Sequence, residues 1–178
     1  MRGFLPFLSL MLLLVLSGSS IEDNPGFQGR KTVALEVERV DVSEIVHAPG
    51  LRPLVGWILS SRDSDFGGLS ALSVDERGFS AIADTGALMR FAPNLRRADI
   101  QSLPRTCVPH LLKKERDSES LALDPQSGKL WIGFEFRNAI CRIDPGGSAR
   151  FYAPPAMQFW PKVSGPEAMI RRADGRFL

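Results

Sequence analysis

Histidine and cysteine are scarce in this sequence, which has two of each among 178 residues. His47 and His110 stand far apart, and Cys107 and Cys141 form no CxxC pair. Zinc and haem sites are built from clusters of such side chains. Their absence argues against both kinds of metal centre.

An excess of charge of one sign is also absent. The chain has 22 Lys and Arg side chains against 20 Asp and Glu, spread along its length. A dedicated nucleic-acid binder concentrates basic side chains on one face of its fold. The balanced charge therefore predicts that no nucleic acid is among its partners.

Long apolar runs are limited to one, Phe4–Leu16, which follows the basic Arg2 and precedes the small residues Ser17–Ser20. A membrane-spanning helix needs roughly 20 apolar residues, and this run is shorter. The pattern is typical of a secretory signal peptide over residues 1–20, with an uncleaved anchor as the alternative. We expect a periplasmic or secreted protein that keeps no stable membrane span after cleavage.

The sequence does contain a repeat, within residues 21–178. Three segments begin at Ser70, Glu119 and Glu167, and each has a short apolar strand, a turn built on Asp and Gly, and a second apolar strand. Their starts lie 48–49 residues apart. A period of about 40–50 residues with short strands and glycine turns is typical of β-propeller blades.

We therefore predict an all-β fold, a β-propeller of four-stranded antiparallel blades. Asp75–Gly78 and Asp124–Gly128 are the predicted hairpin turns, because Asp bonds the backbone that follows it and Gly accepts positive φ. Leu88–Phe91 and Ala139–Ile143 are predicted third strands, and Ala149–Tyr152 is a fourth. We expect about three blades in an incomplete, open arc, and an open β-sandwich fragment is the competing architecture.

The two cysteines fall in neighbouring repeat units. Export would place them in an oxidising compartment, where disulfides persist. Two alternatives stay open: a disulfide between Cys107 and Cys141, or two separate buried thiols.

Acidic side chains recur at the ends of the predicted strands. Glu119 and Glu167 begin the first strands of their units, and Asp84 and Glu135 follow the second strands. The repeat would bring the members of each of these two pairs to one rim or along the central channel. Converging carboxylates suit Ca²⁺, which takes about six to eight oxygen ligands, or general acid–base catalysis. The alternative is that they cap the blade ends by binding backbone amides.

Two further acidic segments accompany these residues. Asp63-Ser-Asp65-Phe-Gly67-Gly68 is similar to a cation-binding loop, but Val74 stands where an EF-hand has its last glutamate. A solvated loop is the alternative there. The second segment, Asp117-Ser-Glu119-Ser120, opens a predicted strand, which suits a rim position.

Taken together, these segments resemble the phytase-like β-propeller family, described by the "esterase-like activity of phytase". The resemblance covers roughly residues 54–178 and corresponds to the N-terminal portion of such a propeller, so a truncated form is expected. The matching stretches are Asp65–Leu72, Asp84–Gly86, Asp117–Asp124, Trp131–Glu135, Ser164–Met169 and Asp174–Leu178.

The resemblance implies a metal-assisted hydrolase that acts on phosphorylated or esterified small molecules, with Ca²⁺ as the cofactor. Carried over to this chain, it implies metal ligands at Asp65, Asp84 and Glu119. It implies catalytic carboxylates at Glu119, Glu135 and Glu167.

The rival hypothesis is a non-catalytic propeller that binds a ligand or a protein through its rim. A shared fold does not decide between the two functions. Converging carboxylates would favour the enzyme. A rim dominated by apolar and aromatic side chains would favour binding, and the candidates are Phe151, Tyr152, Phe159 and Trp160.

Overall fold

The computed structural model describes residues 12–14, 29–42, 49–109 and 112–178. These residues form three sheets with almost no helix, so the predicted all-β class is confirmed. Apart from one short strand, the predicted signal peptide lies outside the described residues. The strands are β1 (Leu12–Leu14), β2 (Arg30–Ala34), β3 (Glu36–Val40), β4 (Gly56–Ser60), β5 (Leu69–Asp75), β6 (Gly78–Ala83), β7 (Ala87–Phe91), β8 (Arg97–Ser102), β9 (Ser118–Leu123), β10 (Leu130–Phe134), β11 (Ala139–Ile143) and β12 (Ala149–Tyr152).

The helical content is one short helix, α1 (Lys113–Arg116), and a 3-10 turn at Pro155–Met157 in the described part of the chain. No helix there has the length and hydrophobicity that a membrane span requires.

Strands β9 to β12 form one antiparallel sheet in which each strand pairs with the next. Its interior is apolar because Leu130, Ile132 and Phe134 alternate along β10 and are all buried. The predicted turn after β9 is present, since the Gly128 amide donates to the Asp124 carbonyl at 2.7 Å. This up-and-down arrangement of four strands is the unit from which propeller blades are built.

Strands β5 to β8 repeat the same arrangement, and β2 adds a fifth strand at the outer edge next to β8. The predicted hairpin is confirmed, because Asp75 pairs with Gly78 at the β5–β6 turn. Met89 and Ile100 are fully buried in the core of this sheet. Leu59 of β4 lies in the same core, so the third sheet packs against this one.

The third sheet contains β3 and β4 in antiparallel pairing, with β1 parallel to β4. At the other end of the chain, the predicted third repeat forms a short hairpin. Its backbone pairs Ile170 with Leu178 through hydrogen bonds of 2.9 and 3.0 Å, and a bridge joins Arg171 and Phe177. The blade number of about three and the open arc stay predictions.

The two four-stranded units pack on each other through apolar side chains. Ile82 and Leu88 of the first unit share a core with Leu121 and Ile132 of the second. Burying one such side chain contributes roughly 1.5–3 kcal/mol. A buried hydrogen bond also joins the units, from the Ser118 hydroxyl to the Ala83 carbonyl at 2.6 Å. Neighbouring strand ends of the two units are therefore held side by side.

A disulfide joins Cys107 to Cys141, which resolves the two alternatives that the sequence left open. Both side chains are fully buried, and their Cα atoms are 5.4 Å apart. The bond ties the loop between β8 and α1 to β11 in the second unit. The Arg137 guanidinium also donates to the Cys107 carbonyl at 2.5 Å, so this loop has a second anchor.

We expect the double substitution Cys107→Ala and Cys141→Ala to lower the free energy of unfolding by about 4 kcal/mol, because the bond closes a long loop in the unfolded chain. The sequence separation is 34 residues. Urea unfolding followed by tryptophan fluorescence measures the loss. Dithiothreitol should bring the unmodified protein down to the same midpoint and leave the double variant unchanged; equal midpoints for variant and oxidised protein would contradict the prediction.

Candidate functional site

Three carboxylates converge at the edge of the second unit where β9 begins and β10 ends. Asp117 precedes β9, Glu119 lies within it, and Glu135 follows β10. One oxygen from each lies within 4.8 Å of the others, and all three residues are half-buried. We call this group the acidic cluster.

A β-bulge aims the Glu119 side chain. In the β9–β10 ladder Gly133 pairs with Ser120 and Phe134 with Ser118, so Glu119 is the extra residue between them. A bulge of this kind redirects a side chain relative to the regular alternation of the strand. Beyond it, the Glu135 amide donates to the Asp117 carbonyl at 3.1 Å, which brings those two carboxylates to the same strand end.

The first unit has the same bulge at the equivalent position. Leu69 pairs with Ala83 and Ala71 with Ile82, which leaves Ser70 as the extra residue. The Asp84 amide then donates to the Gly68 carbonyl at 2.8 Å, as the Glu135 amide does to Asp117. The repeat equivalence of Ser70 with Glu119 is thus visible in the backbone.

Asp84 belongs to the surroundings of the acidic cluster. Burial, together with the negative charge of Asp84, raises the pKa of Asp117. The Lys113 ammonium lies 3.4 Å from the Asp84 carboxylate. Gly68 is needed beside it, because a Cβ at that position would lie 2.4 Å from the Asp84 Oδ1 atom. The glycine also has a φ of +57°, which side chains rarely adopt.

Glu167 reaches the acidic cluster from the C-terminal segment. Gly165 lies directly against the Glu135 backbone, since a Cβ there would be 2.5 Å from the Glu135 Cα atom. The Glu167 amide donates to the Gly165 carbonyl at 2.8 Å. Burial and the charges of Asp117 and Glu167 raise the pKa of Glu135, so the Glu167 carboxylate lies close to it. Glu167 itself is exposed. The predicted catalytic residues Glu119, Glu135 and Glu167 are therefore brought together.

The proximity of these carboxylates changes their acidity. Burial, a hydrogen bond with Asp117 and the charges of Asp117, Glu167 and Glu135 raise the pKa of Glu119 to about 7. Burial is also the largest cause of the raised pKa values of Asp117 and Glu135. The acidic cluster therefore holds protons at pH values where ordinary carboxylates have lost them.

Asp65 lies outside the acidic cluster, although the sequence placed it with the metal ligands. The Lys31 ammonium pairs with Asp65 and lies 2.6 Å from the Asp63 Oδ1 atom. The Asp65 amide donates to the same Asp63 carboxylate at 3.0 Å. A lysine ammonium thus supplies positive charge to this loop.

Asp117 is the site residue that the sequence prediction omitted. The repeat indicates its neighbour Glu119, because the third unit has an acidic residue at the equivalent position. It does not indicate Asp117, because the equivalent residues Gly68 and Gly165 carry no side chain. The signal that was available is the acidic run Asp117-Ser-Glu119 itself.

The fold and the acidic cluster define an all-β repeat protein with carboxylates gathered at the strand ends of adjoining four-stranded units. Residues 64–178 match the family model "Phytase-like: Esterase-like activity of phytase". The chain belongs to this phytase-like family, as its sequence motifs predicted. A comparison with curated proteins finds no match.

Two solved structures of a lyase are similar to the chain. Selenomethionine-substituted virginiamycin B lyase from Staphylococcus aureus shows 11% identity and a TM-score of 0.45, over 80% of this chain and 38% of the lyase chain. A catalytically inactive variant of the same lyase with quinupristin shows 14% identity and a TM-score of 0.49, over 80% of this chain and 52% of the other. The chain spans about half or less of the length of each lyase chain.

The raised pKa values predict that the metal-free protein loses stability as the pH rises. Between its ordinary pKa of 4.5 and its folded pKa of about 7, Glu119 holds a proton in the folded state that the unfolded state has released. That stabilisation is complete below the lower value and is lost as the pH rises through the higher one. We expect Glu119→Gln to flatten this decline and to raise the melting temperature at about pH 8 by about 3 °C in calorimetry.

The matched control for this experiment is Glu76→Gln. Glu76 is exposed in the β5–β6 turn, at the end of the first unit opposite to Asp84. Its substitution should leave the pH dependence unchanged. A decline that is equally steep in Glu119→Gln and in the unsubstituted protein would count against the raised pKa.

Gly165→Ala tests the contact that positions the Glu135 backbone, and it removes no carboxylate. The added methyl group would overlap the Glu135 backbone, so the two segments must move apart. We expect the variant to lose at least about half of any melting-temperature increase that Ca²⁺ produces. Gly146→Ala is the control, because its added Cβ meets nothing within 4 Å; equal Ca²⁺ responses in both variants would show that this contact does not matter.

Proposed function

We propose that this chain belongs to an exported, metal-assisted hydrolase of phosphoester or ester bonds, with the acidic cluster as its site. The observation that carries the proposal is the convergence of Asp117, Glu119 and Glu135 within 4.8 Å, in a member of the phytase-like family. Carboxylates gathered so closely repel each other unless protons or a cation lie between them.

The donor set of the acidic cluster fits a hard divalent cation such as Ca²⁺. Its ligands are all carboxylate oxygens, with no sulfur or imidazole that would favour zinc or copper. Asp117, Glu119 and Glu135 would hold the cation, and Asp84, which pairs with Lys113, would lie in their surroundings. A bound Ca²⁺ would supply charge neutralisation for a phosphoryl oxygen and a lowered pKa for a water molecule.

We assign the proton-transfer steps to Glu167. Glu167 is exposed to an incoming substrate, and its charge is close enough to help raise the pKa of Glu135 at the border of the acidic cluster. A carboxylate in that place can take the proton of an attacking water and return it to the leaving alcohol oxygen. Asp65 has no part in this proposal because it pairs with Lys31.

The architecture and location of the whole protein complete the proposal. We infer a β-propeller in which the two four-stranded units are neighbouring blades and the C-terminal hairpin begins a third. A periplasmic or secreted location is supported by the Cys107–Cys141 disulfide, since such bonds persist in oxidising compartments.

A binding function without catalysis is the second candidate, and one observation favours it. Phe159 is 84% exposed and Trp160 is 42% exposed, close together on the C-terminal segment. Exposed aromatic side chains are enriched where proteins bind partners. Phe151 and Tyr152, which the same hypothesis named, are instead partly buried against Arg137 and Trp131.

Ca²⁺ titration followed by thermal denaturation and by a hydrolysis assay tests the proposal. A concentration about a hundredfold above Kd should raise the melting temperature by roughly 5–10 °C. Glu119→Gln and Glu135→Gln should abolish that rise, and Glu76→Gln should keep it. Glu167→Gln should keep the rise but lower kcat on 4-nitrophenyl phosphate by about a hundredfold or more.

The outcomes separate the two candidate functions. Ca²⁺ stabilisation without hydrolysis of 4-nitrophenyl phosphate or 4-nitrophenyl acetate would favour the binding protein. No stabilisation at millimolar Ca²⁺, with the acidic variants behaving like the unsubstituted protein, would remove the metal site.

A further inference from the structure

Three basic side chains near the acidic cluster are already engaged by acceptors within the protein. Lys113 pairs with Asp84 at 3.4 Å. Arg116 donates to the Thr85 carbonyl at 3.0 Å, and Arg137 donates to a backbone carbonyl in the disulfide-linked loop. These cations hold the units together and have little freedom to meet a substrate.

Two lysines in the same region differ from them. The Lys114 and Lys162 ammonium groups each lie 4.8 Å from the centre of the Phe136 ring, and both lysines are exposed. The two nitrogens are therefore at most about 10 Å apart, because their separation cannot exceed the sum of their distances to the same ring centre. Neither lysine forms an ion pair with any residue that the structure describes.

The lysines and the ring come from the three chain segments that also supply carboxylates. Each of these segments carries one carboxylate of the site and, a few residues away in the sequence, one of the two lysines or Phe136. The pairs are Lys114 with Asp117, Phe136 with Glu135, and Lys162 with Glu167.

A hydrogen bond holds the segment of Lys162 in place. The Asn138 side-chain amide donates to the Trp160 carbonyl at 2.7 Å, from the turn that follows Phe136. Asn138 has a φ of +46° in that turn. Lys162 is two residues beyond this bond, and Gly165, three residues further, lies against Glu135. The lysine is thus anchored on both sides.

Charge explains what such an arrangement favours. An exposed ammonium group that lies over an aromatic ring keeps its full charge and gains little from the contact. Two ammonium groups near one ring repel each other, and an anion between them would reverse that repulsion. A phosphoryl group offers the anionic oxygens that ammonium groups bind as point charges.

We propose that Lys114, Phe136 and Lys162 form an anion subsite that binds the phosphoryl group of the substrate. Its substrate selectivity rests on the proposed hydrolase function, but its anion binding does not. Two positive charges do not strengthen the binding of a neutral carboxylic ester, whereas they strengthen the binding of an anionic phosphoester. The subsite therefore selects phosphorylated over neutral esters among the substrates of the acidic cluster.

Inorganic phosphate is the probe, titrated by calorimetry into metal-free protein at low ionic strength, so that neither Ca²⁺ nor turnover enters the measurement. We expect the double substitution Lys114→Gln and Lys162→Gln to weaken phosphate binding by about tenfold. Both side chains are exposed, so the melting temperature should not change. The control is the double substitution Lys129→Gln and Arg150→Gln, which removes the same charge from the opposite end of the second unit.

The control should stay within about twofold of the unsubstituted protein. An equal loss in both double variants would show a general charge effect and overturn the subsite, as would unchanged phosphate affinity in the Lys114 and Lys162 variant. In the Ca²⁺-loaded protein, that variant should raise KM for 4-nitrophenyl phosphate and leave KM for 4-nitrophenyl acetate unchanged. If neither ester is hydrolysed, the proposed function fails and the phosphate titration alone decides the subsite.

Discussion

The apolar contact between the two four-stranded units is the interaction on which the site depends. Ile82 and Ile132, both fully buried, belong to the one apolar core that the two units share, and the Ser118 hydroxyl donates across it to the Ala83 carbonyl. Because the strand ends are held side by side by this contact, Asp84 of one unit comes close enough to influence Asp117 of the next. The free energy of burial thus keeps like charges together that would otherwise separate.

Holding the carboxylates of the acidic cluster together is electrostatically unfavourable. Half-burial and mutual repulsion raise the pKa of Glu119 to about 7, so the folded protein keeps a proton there at acidic pH. A divalent cation would relieve the same repulsion at higher pH. A proton and a bound cation would therefore be alternative occupants of one site, which would link stability and acidity to the proposed metal binding.

Backbone irregularities and glycine contacts give the site its shape. The bulges at Ser70 and Glu119 interrupt the regular alternation of side chains in two equivalent strands. The extra residue carries a hydroxyl group in the first unit and a carboxylate in the second. Gly165 allows the C-terminal segment to reach the Glu135 backbone. One repeated framework can thus hold different side chains at equivalent positions, and its chemistry is confined to the units that carry the acids.

The sequence by itself determined the all-β class, the hairpin turns at Asp75–Gly78 and Asp124–Gly128, and the repeat equivalence of Ser70 with Glu119. These follow from local turn chemistry and from a period that repeats the same backbone. Tertiary structure alone decided the pairing of Lys31 with Asp65, the Cys107–Cys141 disulfide and the contact of Gly165 with the Glu135 backbone. Each of these joins segments that are distant in the sequence, and which distant segments meet depends on the packing of whole sheets, a property that no local pattern contains.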